Sequence, residues 1–329
     1  MEISVGVIVM RAVELCFDLL APVFNFYFLW LLRKNVFHTH LRVILALFAL
    51  NLSVMTLTRS TDVINQIFDR PIPQGVMGYV NFAHNDCMTL IMDISLILTV
   101  ERFIASHWAD KYENIKSYTI SIGACLFMLA LNTHNTYLMH IWLNSSNVKE
   151  NCTIEFGADN FWVNIVVNIS VMFGLNLLSV GIFLVLRHYN MRRYKNDSKN
   201  KLTRRFQISE NIRTSRQIFY ILILNLFVNL YFFFVLYYVA ISKTANMTVI
   251  YFAQFFDLFA ALASVAYPSI LIASHPRLRL QVTQQFKKLV GIKISNEAPV
   301  QTINNQQMIF QSSLEGSMYF NELQRSWNR

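Results

Sequence analysis

Among the residues placed to do chemistry, the adjacent pair Glu101-Arg102 stands out, because it closes an uncharged run, Ile94 to Val100, and opens a polar, mixed-charge segment reaching Asn114. An Arg at the depth where hydrocarbon gives way to headgroups snorkels and pairs with a neighbouring carboxylate, so one reading is a helix-end ion pair. The other is a switch, an Arg shown to a cytoplasmic partner when neighbouring helices move apart. Further carboxylates interrupt apolar stretches: Glu14 and Asp18 four residues apart, Asp86 and Asp93 seven apart, and Asp257. A carboxylate in such a setting needs a partner, a proton or trapped water. Glu14 and Asp18 share one helical face and read either as interfacial carboxylates or as a polar vestibule.

Catalytic constellations are not in view. The eight His are scattered, with only His38 and His40 close in sequence, so a catalytic or structural metal has little support. The reading is therefore no enzyme, no catalytic residue, no metal and no cofactor. The four cysteines give no clear bridge: Cys16, Cys87 and Cys125 fall in apolar spans, and Cys152 in a loop. Cys87 lies about 15 Å into its helix, so a link to Cys152 needs a deeply dipping loop, and whether Cys152 is bridged stays open. Asn51 and Ser53 and the series Asn164, Asn168 and Asn176 read as interhelical hydrogen-bonding groups, with a pocket wall as the lesser alternative for the series, and Asn225 and Asn229 stand four apart in the sixth span.

The elements that must position these residues are long apolar helices. The chain of 329 residues is 54% hydrophobic and only 14% charged, with 27 Phe and 14 Tyr. Tyr118 to Leu143, Phe161 to Leu186 and Tyr220 to Ile241 carry no Asp, Glu, Lys or Arg and exceed the roughly 20 residues that cross a bilayer core. Val43 to Thr58 spans about 24 Å, and the snorkelling of Arg42 and Arg59 extends it. Leu19 to Leu32, extended upstream by Glu14 and Asp18, Met77 to Ile104, and Val249 to Ala273 complete seven helices. The expected fold is all-α, a seven-transmembrane helix bundle.

Basic residues set the expected orientation, because Lys and Arg are retained in short cytoplasmic loops. With the N-terminus outside, only Arg11, Arg59, Arg70, Lys149 and Lys243 of the 28 Lys and Arg lie outside. The net charge of +9 is then a topology signal rather than a sign of nucleic-acid binding. Glycosylation acceptors at Asn144, Asn151 and Asn246 fall in loops placed outside. No cleavable leader is expected, so the first helix serves as its own targeting signal. A ten-residue outer tail is too short to form a ligand domain, so any ligand meets helices or loops. After His275-Pro276, the residues Leu278, Val282, Phe286 and Leu289 recur at helical spacing among basic residues, the pattern of a helix on the inner leaflet with Pro at its first position. The expected organisation is a receptor-like core with its surface helix over 1–290 and a disordered cytoplasmic tail over 291–329.

Seven helices, a Glu-Arg pair closing the third, a basic third inner loop and a surface helix after the seventh resemble a G-protein-coupled receptor. Phe37-His38-Thr39-His40-Leu41-Arg42, then Glu101-Arg102-Phe103-Ile104-Ala105-Ser106 running to Tyr112-Glu113, then Arg205-Phe206-Gln207 to Glu210-Asn211, resemble the nematode serpentine chemoreceptors of the Sra superfamily. Class e (Sre) is favoured, with classes a, b and ab open; His40 stands where Asn is expected in the first-loop motif. The chain departs from rhodopsin-like receptors: no Cys opens helix three, helix six has no Pro, and Tyr267-Pro268 replaces an Asn-Pro-x-x-Tyr pattern. Helix seven has no Lys, against a retinal Schiff base.

The resemblance implies a chemosensory receptor in the plasma or sensory-cilium membrane that binds an external small molecule and activates a heterotrimeric G protein. Its implied coupling residues are Glu101, Arg102, Arg204, Arg205, Glu210 and Asn211. Outer-half depth and polarity choose His84, Asn85, Trp162, Tyr238 and Asp257 as pocket candidates, with entry between helices three, five, six and seven. Membrane lipids are further partners, and homo- or hetero-oligomers stay open. The rival reading is a ligand-gated channel or another seven-helix transport protein, although no internal repeat is evident.

Overall fold

The computed structural model describes residues 5–34, 36–68, 71–108, 118–147, 157–196, 202–242 and 247–290, with the side chains of 120, 139–147, 157–165, 196, 202–207, 236 and 239–242 outside that description. Eight helices and no strand occur among the described residues. They are α1 (Val5–Leu32), α2 (Thr39–Ile67), α3 (Gln74–His107), α4 (Thr119–Asn147), α5 (Gly157–Asn196), α6 (Leu202–Ser242), α7 (Met247–Ser274) and α8 (Pro276–Leu289). Among the described residues, four stretches are long and apolar enough to cross a membrane: Thr39–Ile67, Val166–Lys195, Ile208–Val235 and Met247–Ser274.

The chain divides into two units, Met1–His275 and Pro276–Arg329. Within the first, α1 lies between α2 and α7, α6 between α5 and α7, and α3 touches α2, α4, α5 and α6. The interior holds Phe28, Leu45, Leu52, Leu98, Ile221, Leu222 and Tyr267, while large apolar side chains such as Val23, Phe26, Leu126, Val185 and Phe227 face outward. Apolar residues on both the inner and outer faces are what a helix bundle needs when its surroundings are hydrocarbon.

Several helices exceed their expected apolar spans. α2 runs to Ile67, so Arg59 lies two turns inside it rather than at its end. α5 has 40 residues and α6 has 41, and between them they take up most of the expected basic third loop. Each is about 60 Å long, well beyond a hydrocarbon core of about 30 Å. Arg, Lys, Gln and Glu are good helix formers, so the helix continues where the apolar pattern ends. The α2–α3 turn is tied by Ile72 N donating to Asn65 Oδ1 at 2.9 Å, and the Pro73 carbonyl accepts Val76 N at 3.0 Å to start α3.

Proline shapes α7. Pro268 has no N–H for the Ser264 carbonyl one turn back, and Asn25 of α1 donates to that carbonyl at 3.3 Å. In the second unit, Pro276 is the first residue of α8, as its sequence predicts, and Phe286 and Leu289 are exposed.

Candidate functional site

At the end of the bundle where α1 begins and α2 ends, Arg59 is a hub. Its Nε donates to Glu14 Oε1 at 2.6 Å, Nη1 to Asp62 Oδ2 at 3.1 Å and Nη2 to Asp257 Oδ2 at 2.5 Å. One guanidinium thus joins α1, α2 and α7, using the fixed fork of donors that Lys lacks. Gln254 of α7 donates to the other oxygen of Glu14, and Arg11 Nε donates to Gln254 Oε1 at 3.1 Å. Glu14 is fully buried and Asp18 is 1% exposed, with Asp18 Oδ2 lacking a hydrogen-bond partner among the described residues. Beside this network, Arg11, Asp62, Asn65, Gln74 and Asn81 are among the residues lining a cavity of about 560 Å³.

At mid-depth, Asn225 of α6 joins three neighbours. Its Nδ2 donates to Ser95 Oγ at 2.7 Å, to the Met92 carbonyl at 3.2 Å and to Asn176 Oδ1 at 3.3 Å, while its Oδ1 accepts Tyr267 OH at 3.0 Å. Asn176 Nδ2 also donates to the Met92 carbonyl, at 2.8 Å. One side chain therefore links α6 to α3, α5 and α7 where no water competes.

The far end of α3 carries the Glu101–Arg102 pair. Nε and Nη2 of Arg102 each donate to a Glu101 oxygen at 2.5 Å, and the side chains are 3% and 6% exposed for Arg and Glu. The pair is buried and bidentate, so the guanidinium is folded onto its own helix. One turn on, Ser106 Oγ donates to the Arg102 carbonyl at 2.7 Å and accepts Asn190 Nδ2 of α5 at 2.8 Å. Arg193 of α5 donates to the Ser106 carbonyl at 3.0 Å, and Asn211 of α6 to the Ala105 carbonyl at 3.0 Å. Polar side chains from α5 and α6 thus clasp the last turn of α3.

The expected coupling residues meet this end in part. Glu101, Arg102 and Asn211 are brought together, and Glu210 sits half-buried on α6, its carbonyl accepting Thr214 Oγ1 at 2.9 Å. Arg204 and Arg205 lie in α6, but their side chains are outside the described residues. Two of the expected pocket residues gather around Arg59. His84 Nδ1 lies 3.2 Å from the Met55 carbonyl of α2 and within electrostatic range of Arg59, and Asp257 pairs with Arg59 directly. Tyr238 packs edge-on against Phe252 across α6 and α7, Asn85 is exposed, and the Trp162 side chain is outside the described residues. The side chains of Asn144, Asn151 and Asn246, and Cys152, are also outside them; Cys16, Cys87 and Cys125 are free thiols.

Asn51 donates to the Cys87 carbonyl of α3 at 2.9 Å, an interhelical bond as expected, whereas Ser53 bonds back to Ala49 in its own helix. Asp86 accepts Thr133 Oγ1 of α4 at 3.0 Å. Arg59 is the residue that sequence reasoning passed over, since an Arg flanking an apolar run looks like any snorkelling end.

The model of the Sre G protein-coupled chemoreceptor family matches residues 3–328. This chain belongs to the Sre family. It is also similar to serpentine receptor class epsilon-8 of Caenorhabditis elegans, with 22% identity over 256 residues, 75% of this chain and 69% of that protein. The match includes both clusters of this Sre chain, the Arg59 hub and the Arg102 clasp. Family membership and the apolar helices make it an integral membrane protein of receptor type.

Proposed function

We propose that this Sre protein is a seven-transmembrane chemosensory receptor, with its N-terminus outside, that binds an external small molecule and activates a heterotrimeric G protein. The observation that carries the reading is the buried Glu101–Arg102 pair, next to the turn at Ala105 and Ser106 that Asn190 and Arg193 of α5 and Asn211 of α6 clasp. Release of α6 from Ala105 uncovers this end of α3, and a G-protein segment inserts beside Arg102, with Arg204, Arg205 and Glu210 on the same stretch of α6 forming its second wall. An agonist drives this change only by binding the open form more tightly than the closed one.

In this reading the Arg59 end faces outward and senses the cue, with His84 and Asp257 coupled to it through Arg59 and Tyr238 on the α6–α7 wall. Asn144, Asn151 and Asn246 carry glycans, and the protein works at the plasma or ciliary membrane of a sensory cell. An epitope placed before Val5 and stained on intact cells tests the orientation; staining only after permeabilisation reverses it.

The coupling claim is tested by nucleotide exchange on co-expressed G proteins, comparing the wild type with Arg102→Ala at matched surface expression. Exchange that depends on the wild-type receptor and falls at least about tenfold in the variant is expected, since truncating a desolvated charge contact costs several kcal/mol. Absence of exchange under every ligand and G protein, together with an ion current across the same membranes, supports a channel instead.

A further inference from the structure

We infer that the cavity beside the Arg59 hub binds a small zwitterion, an amino acid or short peptide, with its carboxylate on Arg11 and its ammonium on Asp62. Its role as the cue site rests on the receptor reading above; its chemistry rests on the lining alone. A volume of about 560 Å³ is of the size that encloses small ligands. Its lining is unlike the rest of the bundle. The protein has 27 Phe and 14 Tyr, yet none is among the described residues bordering this space, whose wall joins Arg11, Asp62 and the amides of Asn65, Gln66, Gln74 and Asn81 to Ile72, Met77 and Gly78.

Unused hydrogen-bonding capacity points the same way. Arg11 spends only Nε, on Gln254, and among the described residues its two terminal nitrogens have no partner. Asp62 Oδ2 accepts Arg59 at 3.1 Å and Gln66 at 2.9 Å, while Oδ1 accepts nothing among the described residues and the side chain is 17% exposed. The free edge of a guanidinium takes a carboxylate through paired N–H donors, and an open carboxylate oxygen takes an ammonium. An apolar ligand leaves these groups desolvated and unpaired, which penalises its binding. A simple amine meets Arg11 with like charge, and a simple acid meets Asp62; a molecule carrying both charges satisfies both walls.

Occupancy of this cavity is felt elsewhere through a continuous chain. Arg11 holds Gln254 of α7, Gln254 holds Glu14, and Glu14 holds Arg59, which also holds Asp257 of α7. A carboxylate bound at the free edge of Arg11 therefore acts on the α1–α7 contact through Gln254.

The test uses the full chain in lipid nanodiscs and saturation-transfer NMR, with the free L-amino acids and glycylglycine as probes and ethylamine and propionate as single-charge controls, all at millimolar concentration. Saturable binding of at least one zwitterion is expected, about tenfold or more tighter than either control. Arg11→Gln and Asp62→Asn each weaken it about tenfold or more, and Arg11→Lys retains part of it. The unfolding temperature of each variant, measured in the same discs, separates loss of the site from loss of the fold. The inference is overturned if no zwitterion binds saturably, or if binding survives both neutral variants. G-protein exchange on the same samples keeps the two claims apart. Arg11-dependent zwitterion binding without exchange sinks the receptor reading and keeps the site; exchange driven by an apolar odorant and indifferent to Arg11→Gln keeps the receptor and sinks the site.

Discussion

Arg59 concentrates more of the bundle's electrostatics than any other described side chain, with Glu14, Asp62 and Asp257 all within ion-pair distance. Removing one partner from a desolvated network costs more than the network contributes net, because the remaining charges are stranded. Arg59→Ala strands the fully buried Glu14 and is expected to destabilise the receptor by about 3 kcal/mol. Thermal unfolding in lipid reads this as a clear drop in midpoint, smaller for Arg59→Lys, which keeps one charge. An unchanged midpoint for the Ala variant removes the hub from the account. Two of the three partners of Arg59 are 45 and 198 residues away in sequence, which is why a single chain read by spacing places Arg59 at a helix end and Asp257 free in a pocket. Glu101–Arg102 was legible because its partners are adjacent. Asp257 and His84 stood out in the sequence as polar groups in apolar spans, but what they face is decided by helix rotation, which apolar blocks without strong periodicity do not encode.

At the level of elements, Asn225 shows how polar residues fix helices against one another. It hydrogen-bonds to α3, α5 and α7, and Asn25 does the same for α1 and α7 at the carbonyl that Pro268 leaves open. Hydrogen bonds between helices in a membrane are modest one by one, so Asn225→Leu, which removes several, is expected to cost about 1–2 kcal/mol. It also uncouples Tyr267 from α6, and basal nucleotide exchange is expected to rise as α6 loses its anchor. A variant with wild-type unfolding and wild-type basal exchange contradicts the role. The seven apolar segments announced the existence of the helices, and Asn176 was read as glue, as its bond to the Met92 carbonyl of α3 shows, whereas the part played by Asn225 was not. Helix ends were not legible. The extensions of α2 to Ile67, of α5 to Asn196 and of α6 back to Leu202 are polar, and polarity reads as loop unless helix propensity is weighed with it.

For the whole molecule, two polar clusters sit at opposite ends of one bundle, with the Asn225 junction between them. The Arg59 cluster joins α1, α2 and α7; the Arg102 one joins α3, α5 and α6; and Tyr267 with Asn225 joins α7 to α6. Two-state coupling needs no more than an element whose position both ends bias, and α6 is that element. The most direct measurement is the distance between spin labels on the exposed positions Phe103 of α3 and Arg216 of α6, read in lipid with and without a nucleotide-free G protein. The account predicts that the distance lengthens when the G protein binds and that Arg102→Ala suppresses the change. A distance that stays fixed while nucleotide exchange proceeds contradicts it, because the G protein is then being engaged without the Arg102 end opening.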